Sequence, residues 1–297
     1  MLYPFILLSQ NKTELEYIES GDKKSSLNDW VGAITDYQEA IRINPKSVDA
    51  YFGSSISKSL VEDYYGAIND ISIAISIDND DYEYYLLRAE YKYYNEDYYG
   101  SINDATDAIN KLKPQENLKD YSLSFSIRGQ SKSGLNDWEG AIKDYSEAIK
   151  YDLEDSYNYA LRGYAKYMLD KFDDAIKDYS EAIKIDPEGS LYLSERGWVK
   201  YLKEDYDAAL IDFNKSLELN PNDEVYFDRS FVKAELGDFY GAIGDVSKAI
   251  ELKAKSEYFA ELGNLKADIG DYKRAIPDIL KAIVLDPENI EFKYLLI

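Results

Sequence analysis

Four stretches of the sequence are nearly copies of one another: DWVGAITDYQEAIRINP from Asp29 to Pro45, DWEGAIKDYSEAIKYDL from Asp137 to Leu153, KFDDAIKDYSEAIKIDP from Lys171 to Pro187 and DYDAALIDFNKSLELNP from Asp205 to Pro221. Similar copies recur eight times along the chain, about every 34 residues. Within each period, two stretches carry apolar residues at i, i+3, i+4 and i+7, which is typical of amphipathic helices. The sequence therefore predicts an all-α array of helix pairs, none of which buries its apolar face alone.

Aligning the prolines that close the clearest copies sets the boundaries of the array. The eight repeats then cover residues 14–289, preceded by an apolar N-terminal cap segment, 1–13, and followed by a C-terminal capping segment, 290–297. About six extra residues fall within 112–121, between the third and fourth repeats. They predict either a longer loop or a hinge between two blocks of repeats.

Small residues recur at fixed positions of both helices. On the first helix the column is Gly21, Ser55, Ala89, Gly129, Gly163, Gly197, Ser230 and Gly263. The matching column of the second helix is Ala33, Ala67, Ser101, Ala141, Ala175, Ala209, Ala242 and Ala275. Small side chains that face each other allow two helix backbones to approach closely.

This pattern resembles the tetratricopeptide repeat. In the fifth repeat the residues that match the family signature are Tyr159, Gly163, Ala175, Tyr179, Ala182 and Pro187. The resemblance implies a right-handed superhelical solenoid of antiparallel helix pairs, with a concave groove lined by the first helices. It also implies a protein or peptide partner and no catalytic chemistry.

Charged residues recur where the family prefers apolar ones. Every repeat has a Lys on the first helix and an Asp on the second, and repeats three to seven add an Arg four residues before the Lys. In repeats five and six these residues are Arg162, Lys166, Asp178, Arg196, Lys200 and Asp212. We call the whole set the charge ladder. Its recurrence indicates a structural role between neighbouring helices, which would set the register between repeats.

Composition excludes several functions. The chain has neither His nor Cys, so a Ser–His–Asp triad, a Cys–His site and a disulfide are ruled out. No phosphate-binding glycine loop is present, and we expect no catalytic residue, no cofactor and no metal site. The net charge of −23 argues against nucleic acid as a ligand. It serves solubility or, alternatively, favours a basic partner. The apolar start is too short to span a bilayer, so we expect no membrane insertion.

First-helix positions expected to face the groove are often aromatic. We call these eight residues the aromatic groove: Tyr93, Tyr157, Tyr164, Tyr167, Trp198, Tyr201, Phe227 and Phe231. Large aromatic side chains are frequent anchors for a bound peptide. The alternative is that they pack between repeats as part of the core.

The sequence thus favours a non-enzymatic scaffold that holds a segment of another protein. The alternative function is a structural solenoid that self-associates through its apolar ends, MLYPFILL and the last eight residues. Unless a true start with an export signal lies upstream, we expect a cytoplasmic location.

Overall fold

The computed structural model describes residues 12–113, 117–289 and 291–294, and all the secondary structure of these residues is α-helical. The helices are α1 (Glu14–Ser26), α2 (Trp30–Ile43), α3 (Val48–Ser59), α4 (Tyr64–Ile77), α5 (Tyr82–Tyr94), α6 (Tyr98–Lys111), α7 (Leu118–Gly134), α8 (Trp138–Tyr151), α9 (Ser156–Tyr167), α10 (Phe172–Ile185), α11 (Ser190–Leu202), α12 (Tyr206–Leu219), α13 (Asp223–Glu235), α14 (Phe239–Leu252), α15 (Ser256–Asp268), α16 (Tyr272–Leu285) and α17 (Glu291–Tyr294).

The chain divides into two compact units between Asp152 and Leu153. Helices α1–α8 belong to the first unit and α9–α17 to the second. In each unit, every odd-numbered helix up to α15 packs against the even-numbered helix that follows it, and each pair packs against the next. The predicted fold class, an all-α solenoid of antiparallel helix pairs, is confirmed.

The turn inside each pair has the same local chemistry throughout. The residue before the N-cap of the second helix has positive φ in all eight pairs, as at Glu204 with φ of 62° and Gly237 with 80°. In five pairs an Asp then caps the second helix and accepts the amide N–H of a Gly three residues later, as Asp137 does from Gly140 at 3.0 Å. These local bonds end one helix and begin the next without help from tertiary contacts.

The columns of small residues are the contact points of each helix pair. The Ala residues of the second-helix column are at most 2% exposed. A Cβ added to Gly129 would lie 2.7 Å from Cε1 of Tyr145, closer than real side chains come. The ring of this buried Tyr therefore occupies the space that the glycine leaves free.

Each buried Asp of the charge ladder joins the two helices of its own pair. Arg162 donates from Nη2 and Nε to the two carboxylate oxygens of Asp178 at 2.7 and 2.9 Å, and Lys166 Nζ lies 2.7 Å from Oδ2. Asp212 receives Arg196 and Lys200 in the same geometry. The Asp is 2–4% exposed wherever the pair carries the column's Arg.

The connection to the preceding pair comes from the third nitrogen of the Arg. Arg196 Nη1 donates to Ser180 Oγ at 3.0 Å, and Arg229 Nη1 donates to Asn214 Oδ1 at 2.7 Å. The carboxylate thus joins the two helices of one repeat, whereas a hydroxyl or amide oxygen on the previous second helix joins the Arg to the repeat before it. That the ladder sets the register between repeats stays a prediction.

The insertion at 112–121 lies inside the first unit. Part of it lengthens a helix, because α7 begins at Leu118 and has 17 residues. Tyr121 OH donates to the carbonyl of Leu112 at 2.6 Å, and this bond ties the two sides of the insertion together. Residues 114–116 are outside the described residues, and a hinge in this segment stays a prediction.

The C-terminal capping segment is described only at residues 291–294. There Phe292 is 8% exposed and packs against Ala260 of α15 and Ala282 of α16. The N-terminal cap segment lies outside the described residues except for Lys12 and Thr13, and Thr13 caps α1 in a capping box with Glu16.

Candidate functional site

Three first helices of the second unit, α9, α11 and α13, form one continuous layer. Helix α11 packs against α9 on one side and α13 on the other, in addition to its contacts with α10 and α12. Neighbouring second helices of this unit contact each other less closely than these three first helices do. The first helices therefore lie on the inner side of the curve within this unit.

The aromatic groove divides between the two units. Tyr93 lies at the end of α5 in the first unit, where its ring contacts those of Tyr94 and Tyr98. The other seven residues lie on α9, α11 and α13 of the second unit.

Four of those seven form a chain of contacts from α9 to α11. The rings of Tyr164 and Tyr167 have centroids 6.0 Å apart. Trp198 Nε1 donates to Tyr167 OH at 3.3 Å, and the ring of Trp198 lies 5.2 Å from that of Tyr201.

Two more residues extend this chain to α13. The centroids of Tyr201 and Phe231 are 6.4 Å apart, and Phe231 meets Phe227 edge to face at 4.8 Å. Six of the eight predicted residues therefore form one run across three successive first helices. Tyr157 lies on α9 near the edge of this run and is 48% exposed.

The members of the run differ in how much they also serve the core. Tyr167, Trp198, Tyr201 and Phe227 are partly buried and border the hydrophobic clusters of their own pairs. Tyr164 is 42% exposed. The rings therefore pack between repeats on one side and face solvent on the other. Core packing concerns the first side of each ring, and partner binding concerns the second.

A cleft of about 410 Å³ opens beside this run. Tyr164, Tyr167 and Trp198 form its aromatic wall. Glu195 of α11 and Asp228 of α13 line the rest together with Glu224, which pairs with Lys255, and with Leu191, Val225 and small polar residues. No described Lys or Arg contributes to the lining.

The two carboxylates belong to a column that the sequence analysis missed. Glu195, Asp228 and Glu261 stand two residues before the small residue of the first helix in the last three repeats. The first repeat has Glu19 at that position, and repeats two to five have Gly53, Leu87, Ile127 and Leu161. A comparison of the repeats column by column would have revealed that the last three repeats all have an acidic residue there.

Burial raises the pKa of both cleft carboxylates. The pKa of Asp228 rises to about 7, chiefly through burial and further through the negative charges of Glu195 and Glu224. Burial likewise raises the pKa of Glu195, whose only hydrogen bond to another described residue is a long one of 3.5 Å from Tyr179 OH.

This arrangement suits recognition better than catalysis. It offers flat aromatic faces, a concave surface and negative charge, but no group of three or more acidic, His or Cys side chains among the described residues is placed to hold a metal ion. No described helix is long and apolar enough to cross a bilayer.

Comparison with known proteins bears on the fold. Sequence models of the tetratricopeptide repeat match residues 128–190, 190–223 and 256–289. Among curated proteins, none matches the chain.

Solved structures resemble it over most of its length. The C-terminal part of a TPR repeat-containing protein from Cytophaga hutchinsonii covers 83% of this chain and 99% of its own, with a TM-score of 0.66 at 22% identity. A tetratricopeptide repeat protein from Parabacteroides merdae gives 0.64 at 17% identity, covering 86% of this chain and 98% of its own. A structure of the APC/C hetero-tetramer Cut9-Hcn1 gives 0.62 at 15% identity, covering 95% of this chain and 54% of its own. At such identities the likeness shows the fold alone.

Proposed function

The chain is a tetratricopeptide repeat protein, and we propose that it is a non-enzymatic scaffold that holds a segment of another protein on the aromatic groove of its second unit. The family is one of interaction scaffolds and is generally non-enzymatic. The similar structure of an APC/C assembly supports a role in binding other proteins.

The observation that carries this proposal is the aromatic run on α9, α11 and α13. Large rings that are partly buried yet face a concave surface lose little conformational entropy when a partner covers them. Such rings are therefore efficient anchors for an extended or helical segment.

Self-association, the alternative function, has less support. Phe292 covers the apolar surface that Ala260 and Ala282 present at that end of the second unit. A covered face offers less apolar area to a second copy of the chain.

A displayed library of random peptides, selected on the immobilised protein, tests the proposal without a known partner. The informative variants are Tyr164→Ala and Phe231→Ala, because both residues lie outside the buried core clusters described above. We expect each to weaken the selected peptides about tenfold or more, as loss of an anchor residue does.

The matched control is Tyr240→Ala on α14, a Tyr that is 77% exposed and lies outside the groove. It should leave peptide affinity unchanged. Circular dichroism should show the same helix content in all three variants. Selected peptides that bind Y164A and F231A as tightly as the parent protein would exclude the aromatic groove as the binding surface.

A further inference from the structure

The buried carboxylates of the charge ladder in the second unit are paired with cations, whereas the two carboxylates of the column in the cleft are not. Asp178, Asp212 and Asp245 each receive one Arg and one Lys. By contrast, no hydrogen bond or ion pair joins the Asp228 carboxylate to another described residue, and Glu195 has only the long contact from Tyr179.

Lys255, the cation whose charge acts on Asp228, is engaged by other residues. Lys255 contributes a favourable charge to Asp228, but its Nζ lies 3.0 Å from Asp223 and 2.9 Å from Glu224, and it donates to Tyr258 OH at 2.8 Å. Glu195 and Asp228 therefore repel each other in a partly dehydrated place, and no Lys or Arg among the described residues forms an ion pair with either of them.

The wall opposite them is suited to a cation as well. The ring faces of Trp and Tyr are electron-rich and attract ammonium and guanidinium groups, most strongly where water is excluded. Tyr164, Tyr167 and Trp198 line the same cleft as Glu195 and Asp228. Its volume of about 410 Å³ is ample for the end of one long side chain.

We infer that this cleft is a cation pocket, in which Glu195, Asp228 and the aromatic wall bind one Lys or Arg side chain of the partner segment. The inference rests on the proposed function and adds the chemistry of the ligand to it. A cation between the two carboxylates relieves their mutual repulsion, and its aliphatic stem packs along the ring of Trp198. The pKa of Asp228 is raised in the protein without its ligand, and a bound cation would lower this pKa.

The test uses peptides selected on the parent protein and two isosteric variants, Glu195→Gln and Asp228→Asn. We expect the selected peptides to share a Lys or Arg, and each variant to weaken them about tenfold. Replacing the shared Lys by norleucine, or the shared Arg by an uncharged residue of similar length, should cost a similar factor. With the double variant E195Q/D228N, the same peptide replacement should weaken binding little further, because the interaction with the carboxylates has already been lost.

The control is Glu251→Gln, which removes the same charge from an exposed pair with Lys248. It separates local recognition from the effect of net charge and should leave peptide affinity unchanged. We expect E195Q and D228N to fold as the parent protein does, because removing an unpaired buried charge should keep or raise the melting temperature.

Two results would overturn the cation pocket and leave the proposed function standing. One is peptides that depend on Tyr164 and Phe231 but bind E195Q and D228N at full affinity. The other is a cleft that binds Ca²⁺ in calorimetry while the selected peptides carry no shared cation. Peptides that depend on the two carboxylates but not on Tyr164 or Phe231 would support the pocket and contradict the wider aromatic groove.

Discussion

Asp228 is a carboxyl group whose surroundings favour its neutral form. Glu195 of α11 and Glu224 of α13 face it with negative charge, and Lys255, just before α15, offsets them in part. The pKa of an Asp in an unfolded chain is about 3.9. That of Asp228 in the folded protein is about 7. Between these pH values the folded state holds a proton that the unfolded state lacks.

Protein stability should therefore decrease as pH rises through this window. The free energy of unfolding rises with pH only where the unfolded state binds more protons, and here the folded state does. Asp228→Asn should remove this slope and stabilise the protein above pH 7 by on the order of 2 kcal/mol, after allowance for solvent screening. Chemical denaturation at several pH values measures it. If D228N and the parent protein follow parallel curves, the Asp228 carboxyl is ionised throughout.

At the scale of the element, the charge ladder joins the two helices of a pair through ion pairs to a buried Asp. Asp178 is 4% exposed, and both Arg162 and Lys166 form ion pairs with its carboxylate. Both cations therefore depend on one buried carboxylate. Removing one member of a buried ion pair leaves the opposite charge buried without compensation. This costs more free energy than replacing the whole pair by apolar residues.

Asp178→Ala should lower the free energy of unfolding by about 3 kcal/mol. The matched control is Asp174→Ala on the same helix, whose pair with Lys177 is exposed on both sides. It should leave the melting curve unchanged. Equal curves for D178A and the parent protein would mean that the ladder is a solvated feature with no structural role.

At the scale of the whole molecule, the last helix pair needs a cover for its apolar face. Phe292 supplies one by packing on Ala260 and Ala282. The exposed apolar area left by its removal would favour association between chains.

Phe292→Ala should therefore increase the sedimentation coefficient at high protein concentration and destabilise the last pair by about 3 kcal/mol. Val284→Ala is the control, because Val284 lies on α16 and is 70% exposed. A parent protein that assembles with rising concentration, and loses that assembly in F292A, would instead favour the self-associating solenoid.

The sequence by itself determined the repeat and the all-α class, because these depend on neighbours a few residues apart. The Asp that caps a second helix, the turn residue before it and the apolar positions at i, i+3 and i+4 all act locally. Comparison of eight copies made such signals easy to separate from chance. The structure of the insertion at 112–121 was harder to predict, since the same residues could extend a loop or begin α7 early.

Only the tertiary structure decided which carboxylates have partners. In the sequence Asp228 stands beside Arg229, and Glu195 stands beside Arg196. Adjacent residues of a helix do not face each other. Arg229 therefore bonds Asp245 and Arg196 bonds Asp212, both 16 residues away on the next helix. The two carboxylates point away from these arginines into the cleft, and that separation in space creates the candidate pocket.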